Sequence, residues 1–337
     1  PYSSGSEILR SFLDPPTPVV EAVFMLQREV AERLMAKPRT KAYGKLTLLL
    51  GAGWNVEPIR VLPPEPFYPK PNVESSVVRL RRRAPDDLPP FDRRLFDRLV
   101  RSGFSERRKQ LKRRLPLGEQ ADWGELCAEL NLSPTARAEE LSLEDWLALA
   151  RYVDPHPLKD NPQRPDEIFD LVDDRDVVIG QAPRSQVHAE GLRHRAVHIF
   201  VFNRKGELFL QKRSMLKDSA PGKWDSSAAG HLDVGESYRD CAERELEEEL
   251  GVTAPVVEIG TLDASAGTGW EFVHIYKAEH RGPFRWPASE IETGGFFPIE
   301  TVAEWTEHRP EDFASGFLEC WRVWAAQQPA APGVQTP

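Results

Sequence analysis

Cysteine is scarce in this chain: Cys127, Cys241 and Cys320 are its only three, spread widely over 337 residues. That number and spacing exclude a disulfide framework and a cysteine-based metal knuckle, and they fit a reducing, cytoplasmic setting. Long hydrophobic runs are lacking too. Apolar stretches such as Leu46–Leu50 and Val197–Phe202 fall well short of the ~20 residues that span a bilayer, so no membrane partner is expected. No leader peptide opens the sequence, and Pro1 in place of Met predicts a missing amino-terminal piece. Acidic residues outnumber basic ones, 53 to 44, but the excess is local: residues 1–155 carry net +3 and residues 156–337 net −12. Six cations crowd into the eight residues Arg107–Arg114. The two halves are therefore expected to face different partners.

What is present divides the chain in two. Four prolines fall within the polar dozen residues 154–165, which suits a semi-stiff linker and neither helix nor strand. Before it, Ala22–Gln27, Lys45–Leu50 and Ser76–Leu80 read as buried strands, with a helix over Arg28–Ala36. From Pro90 onward the apolar spacing turns helical over Phe91–Gly103, Glu106–Leu115, Trp123–Leu130 and Ser142–Tyr152. Ser142 followed by Asp145 marks a helix start. After the linker, Val177–Ile179, His198–Phe202, Leu208–Gln211, Val256–Leu262 and Phe272–Ala278 read as strands, and Asn203–Gly206 as a hairpin turn. Helices are expected over Ser237–Leu250, stopped by Gly251, and over Asp312–Ala325. This pattern predicts an α/β fold: residues 1–85 as the end of a sheet domain, 86–153 as a small helical domain, 154–167 as linker, 168–326 as an α/β sandwich and 327–337 as a disordered tail.

The strongest signal is Gly230, five residues, Glu236, seven residues, then Arg244-Glu245-Leu246-Glu247-Glu248-Glu249-Leu250-Gly251-Val252. On a helix Glu245, Glu248 and Glu249 stand at i, i+3 and i+4 and share one face. Unrelieved, their carboxylates repel one another; a hard divalent cation with oxygen ligands removes the conflict. A solvated acidic helix is the plain reading of these glutamates alone, but the full spacing is too specific for chance. Leu246, Leu250 and Val252 are placed to bury the other face, while Gly230 and Gly235 let a tight loop pass beneath.

This box resembles the signature of the Nudix hydrolases, with every position filled. The resemblance covers Leu171 to about Trp324. It implies an α/β/α sandwich that cleaves a phosphoanhydride bond in a small diphosphate substrate with Mg²⁺ or Mn²⁺. By motif position it makes Glu245, Glu248 and Glu249 metal ligands, Arg244 their orienting partner and Glu236 an auxiliary carboxylate. Glu271, Glu290 and Glu292 remain open as the further base. Arg213, Lys217, Pro221-Gly222 and Trp224 ahead of the box resemble the branch that includes isopentenyl-diphosphate isomerase, where the positions of Arg213 and Lys217 bind diphosphate. That branch carries a catalytic cysteine two residues before the histidine matching His231; here the position is Ala229, so hydrolysis is expected and isomerisation is not. His194, His198 and His231 are open between ligand or base roles and hydrogen-bonded scaffolding.

The first half carries a second resemblance. Phe24–Leu34, Ala42–Leu46, Phe67–Leu80, Phe104–Lys109 and Ala136–Ser142 look like the ribosomal RNA small-subunit adenine dimethyltransferases. The resemblance implies a truncated Rossmann-type methyltransferase sheet followed by a small helical domain. Pro1 and Tyr2 match the end of that family's catalytic Asn-Leu-Pro-Tyr loop. Its cofactor-binding segments have no counterpart in this sequence, so S-adenosylmethionine is expected only in a full-length form, which would be bifunctional. A role in binding 16S ribosomal RNA falls to Arg107, Arg108, Lys109, Lys112, Arg113 and Arg114, because clustered cations suit phosphate contacts.

Overall fold

The computed structural model describes residue 9 and residues 17–84, 86–106, 109–115, 117, 122–154 and 163–328. Pro1, Tyr2, Arg107, Arg108, most of the expected linker and nearly all of the expected tail lie outside these residues. The chain divides into two compact units, Pro1–Asp160 and Asn161–Pro337.

In the first unit, β1 (Glu21–Gln27) leads into α1 (Arg28–Leu34); α2 (Lys45–Gly51), β2 (Trp54–Leu62) and β3 (Ser75–Arg82) follow. The three strands form an antiparallel sheet in the order β1-β3-β2. The reading of Lys45–Leu50 as a strand is wrong. Three leucines in a row are compatible with either state, but Leu favours helix, and here Leu48 and Leu50 point into two separate apolar clusters. Nor is β1 buried on both faces. Val23 and Met25 stand 55% and 49% exposed while Leu26 is buried, as period-two alternation requires.

The helical part holds α3 (Arg93–Gly103), α4 (Trp123–Glu129) and α5 (Leu143–Tyr152), packed around Phe96, Leu99, Leu126 and Trp146. Asp92 caps α3 by accepting from the N–H groups of Arg94 and Leu95, and Ser142 and Asp145 form the expected reciprocal box on α5. The continuous helix expected over Glu106–Leu115 does not form among the described residues. Instead there are 3₁₀ turns at Phe104–Glu106 and Leu111–Arg113, and Gln110 bridges to Arg137. Like charges at three-to-four spacing oppose a helix there.

The second unit opens with a two-stranded ribbon, β4 (Ile168–Val172) with β5 (Val178–Pro183), then α6 (Arg184–Glu190). Its main sheet uses β6 (His194–Phe202), β7 (Leu208–Arg213), β8 (Trp224–Asp225), β9 (Ala228–His231), β10 (Val257–Leu262), β11 (Glu271–Glu279) and β12 (Ile291–Phe297). The order is β10-β11-β6-β7-β12, with β6 and β11 parallel; β9 pairs β6 and β8 pairs β7. The β6–β7 hairpin pairs over only two positions, Val201↔Phe209 and Phe202↔Leu208, before the strands part and β8 and β9 enter the fork. One face is covered by α7 (Tyr238–Leu250) through Val197, Ile199, Val201, Leu246 and Leu250. The other is covered by α8 (Ile299–His308) and α9 (Ser315–Ala326) through Phe200, Trp305, Phe317 and Trp321. This is the expected α/β/α sandwich. The sequence reading passed over β4, β8, β9, β12, α6 and α8 here, and β2 in the first unit: four of these are short, and Gly294 and Gly295 break the strand signal of β12.

Candidate active site

α7 presents the acids. Ser237 caps it by accepting from the Asp240 N–H, and Gly251 ends it with φ of 66°. Cys241, Ala242, Leu246 and Leu250 bury one side of the helix against the sheet. That burial carries Glu245 and Glu249 inward, to 9% and 5% exposure, and leaves Glu248 in solvent. Gly230 of β9 passes directly under Glu245: a Cβ there would lie 2.0 Å from Glu245 Oε1. Gly235 turns the following loop at φ of 73°.

Arg244 ties this group together. It donates to both oxygens of Glu236 at 2.9 Å, to Glu245 Oε1 at 2.7 Å, to Glu248 Oε2 at 3.0 Å and to the His231 carbonyl at 3.0 Å. Burial works to raise Glu236, but the hydrogen bonds from Arg244 hold it below its ordinary value. Glu249 Oε2 accepts from Gln211 Nε2 at 2.9 Å and from the Ala229 N–H at 3.1 Å. Burial pushes Glu245 up to about 8, with the Glu249 charge adding to it. Burial also pushes Glu249 up to about 7, against the pull of Lys217.

Facing these acids across a cleft of about 490 Å³ are Arg213, at the end of β7, and Lys217. Arg213 is buried and Lys217 half-buried, so their ion pairs lie below the surface. Arg213 donates to Asp225 Oδ2 at 2.9 Å, to the Ser219 carbonyl at 3.1 Å and to Ser219 Oγ at 3.1 Å. Lys217 is paired with Glu290 and lies 3.9 Å from Glu249 Oε1. Of the three acids left open by the sequence, Glu271 and Glu290 line the cleft; Glu292 is outside its lining and pairs with Lys212 at 2.8 Å.

The histidines separate into two settings. His194 and His231 come together with His188, each offering a ring nitrogen, all within 4.8 Å of one another. Phe169 stacks on the buried His194 ring and on the half-buried His231 ring. Arg184 can only donate, so His231 Nδ1, 3.3 Å away, accepts, and its Nε2–H points to Glu271 Oε1 at 3.0 Å. Burial holds the His231 imidazole down to about 3, and burial also lowers His188. Burial alone would raise Glu271, yet His194 and His231 hold it well below the usual carboxylate value. His194 Nδ1 donates to the Leu192 carbonyl at 2.9 Å, and its buried Nε2, without a hydrogen-bond partner among the described residues, lies 3.6 Å from Glu271 Oε1. His198 stands apart, with Nδ1 2.7 Å from Ser226 Oγ.

The sequence reading missed His188, Gln211 and Asp225. His188 sits on the unrecognised α6. Gln211 closes the apolar run Leu208–Leu210, where a polar residue signals a buried partner. Among the described members of the basic cluster, Lys109, Lys112 and Arg113 are exposed, whereas Arg114 pairs with Glu106 at 2.5 Å. Among the described residues no helix is long and apolar enough to cross a membrane.

Comparison with known proteins gives two separate matches. Residues 1–154 match the ribosomal RNA adenine dimethylase family, and residues 192–315 match the NUDIX domain. A ribosomal RNA small subunit methyltransferase A from Synechococcus sp. (strain JA-3-3Ab) is 46% identical over 155 residues, covering 44% of this chain and 55% of the relative. The chain thus spans about half the length of the curated relatives it matches. Among solved structures, DR0079 from Deinococcus radiodurans covers 46% of this chain and 98% of its own at 28% identity, with a TM-score of 0.41. A dimethyladenosine transferase from Plasmodium falciparum covers 44% of this chain and 62% of its own at 23% identity, with a TM-score of 0.36.

Proposed function

We propose that this chain, which joins a ribosomal RNA adenine dimethylase segment to a NUDIX domain, hydrolyses a phosphoanhydride bond of an organic diphosphate. The observation that carries this reading is the opposition, in one cleft, of two buried and electrostatically strained carboxylates to a buried arginine and a half-buried lysine. Carboxylates whose affinity for protons is raised by burial and crowding are short of positive charge, and a divalent cation supplies it. Glu245, Glu248 and Glu249 would hold Mg²⁺ or Mn²⁺, with Glu236 and Arg244 fixing their geometry. When bound, such an ion polarises a phosphoryl oxygen and acidifies a water. His188, His194, His231 and Glu271 offer a second, nitrogen-rich set of ligands nearby.

The chain's own residues supply the rest. Arg213 and Lys217 bind the diphosphate, exchanging Asp225 and Glu290 for phosphoryl oxygens. Glu290, once released from Lys217, is placed to take a proton from the attacking water. Ala229 brings no thiol; its backbone N–H holds Glu249 instead. Proton-shuttling isomerisation therefore has no donor at that position.

Phosphate release from a panel of organic diphosphates tests the reading: turnover is expected with Mg²⁺ or Mn²⁺ and none with chelator. Failure on the whole panel with metal supplied would overturn it. The raised carboxylates add a pH dependence with a definite sign. Each must lose its proton to ligate, so Mn²⁺ affinity is expected to rise about 10-fold or more from about pH 6 to about pH 8, and to level off above. In the metal-free protein the same two groups stabilise the fold when protonated, and that contribution is lost as pH rises through 7 to 8. Calorimetric titration with Mn²⁺ across this range measures the first effect, and an affinity independent of pH would count against these residues as the ligands.

For the first half we propose docking on helical 16S ribosomal RNA through the exposed cations near Lys109, Lys112 and Arg113. Phosphate contacts release counterions, so binding should weaken steeply with salt. Lys112→Glu with Arg113→Glu, in the whole chain, should weaken binding and reduce the salt slope by about 2. Unchanged affinity and slope in gel-shift titrations would place the contact elsewhere.

A further inference from the structure

The amino-terminal end of α9 opens into the same cleft, on the side of the sheet opposite the carboxylate helix. Ala314, Ser315 and Gly316 line the cleft together with His198, Arg213 and Lys217. α9 is 12 residues long and has no side-chain cap. Ala314 donates its own N–H to the Trp224 carbonyl at 2.9 Å, which pins the helix end to β8. The N–H groups of Ser315, Gly316 and Phe317 have no acceptor among the described residues. Free N–H groups at the positive end of a helix favour an anion.

A buried side chain points at the same spot. His198 is 6% exposed, and its Nε2 has no hydrogen-bond partner among the described residues. A Cβ on Gly316 would lie 3.2 Å from that nitrogen, so only the absence of a side chain at Gly316 keeps His198 open to the helix end. The protonation follows from its neighbour. Ser226 Oγ, 2.7 Å from His198 Nδ1, has no other partner for its hydrogen among the described residues, so it donates to Nδ1 and Nε2 carries the ring proton into the cleft. The nearest acid, Asp225, lies 3.9 Å from Nδ1 and is neutralised by Arg213 at 2.9 Å and by the Ser226 N–H at 2.7 Å. Donors thus run in a row from Lys217 through Arg213 to His198 and the end of α9.

We propose that His198 Nε2 and the first-turn N–H groups of α9 form a phosphoryl subsite, which takes the substrate phosphate remote from the carboxylate helix. This rests on the diphosphohydrolase reading, but it can be tested without turnover. Inorganic phosphate is titrated calorimetrically into the metal-free protein and into Gly316→Ala, whose methyl group fills the subsite and suits a helix. The phosphate Kd is expected to rise about 10-fold in Gly316→Ala, and likewise in His198→Leu, which removes the ring donor. If turnover is found, KM for the diphosphate should rise with it while kcat and Mn²⁺ affinity change less than about 2-fold. A correct subsite on a non-hydrolase would still show the loss of phosphate binding; a wrong subsite on a true hydrolase would show turnover with phosphate affinity intact in both variants. A rise in KM without loss of phosphate affinity would mean that this corner holds an uncharged group, and would overturn the proposal.

Discussion

Glu249→Gln is expected to lower kcat by about 10³-fold while leaving the protein folded. The amide keeps the size of the carboxylate, and its oxygen can still accept from Gln211 Nε2 and the Ala229 N–H, so the buried contacts survive. What disappears is the negative charge aimed across the cleft toward Lys217. The metal-free variant should melt no lower than the wild type at about pH 8, because a buried carboxylate pushed upward by its surroundings is itself a strain on the fold. Thermal melting and single-turnover rates decide the matter. Wild-type rates in the variant would remove Glu249 from the machinery, and collapse of the fold would make it structural.

Gly230→Ala is expected to be nearly as damaging for a steric reason. Its Cβ would sit 2.0 Å from Glu245 Oε1, 2.1 Å from the carboxyl carbon and 2.6 Å from Oε2. Something must move, and neither choice is benign. If the glutamate swings away, it leaves the Arg244 guanidinium at 2.7 Å and the shared face of α7. If β9 moves, its pairing with β6 is disturbed at Val197↔Gly230. A fall of about 100-fold in Mn²⁺ affinity is expected, with a loss of about 2 kcal/mol in stability. Equal affinity and melting temperature for Gly230→Ala would show that the backbone yields freely here, and that the close approach has no role in shaping the site.

The carboxylate helix was legible in the sequence because its geometry is local. The spacing of Glu245, Glu248 and Glu249 fixes their common face, and Ser237 and Gly251 mark its ends. The sandwich followed from strands on both sides of it. Legibility failed where the deciding contacts are remote. Lys45–Leu50 is equally apolar as strand or helix, and it is a helix because it serves two clusters at once. The roles of Gln211 and Asp225 depend on the register that sets Gln211↔Asp225 side by side, and on remote partners, Glu249 of α7 for Gln211 and Arg213 for Asp225. His188 joins the histidine cluster only through the short α6, whose seven residues leave too little periodicity to recognise.

The pairing of Arg213 with Asp225 and of Lys217 with Glu290 gives the resting cleft its own internal counterions. A ligand here does not enter an empty positive basin; it must displace acids already in place. An anion of single charge can replace one partner only, leaving the other ion pair shut and a freed carboxylate uncompensated in a buried setting. A diphosphate arriving with a divalent cation brings two acceptor groups for the cations and a positive centre for the displaced acids. The exchange is then close to electroneutral. Selection by this cleft is on that account a selection by valence, made before any feature of the organic group is read.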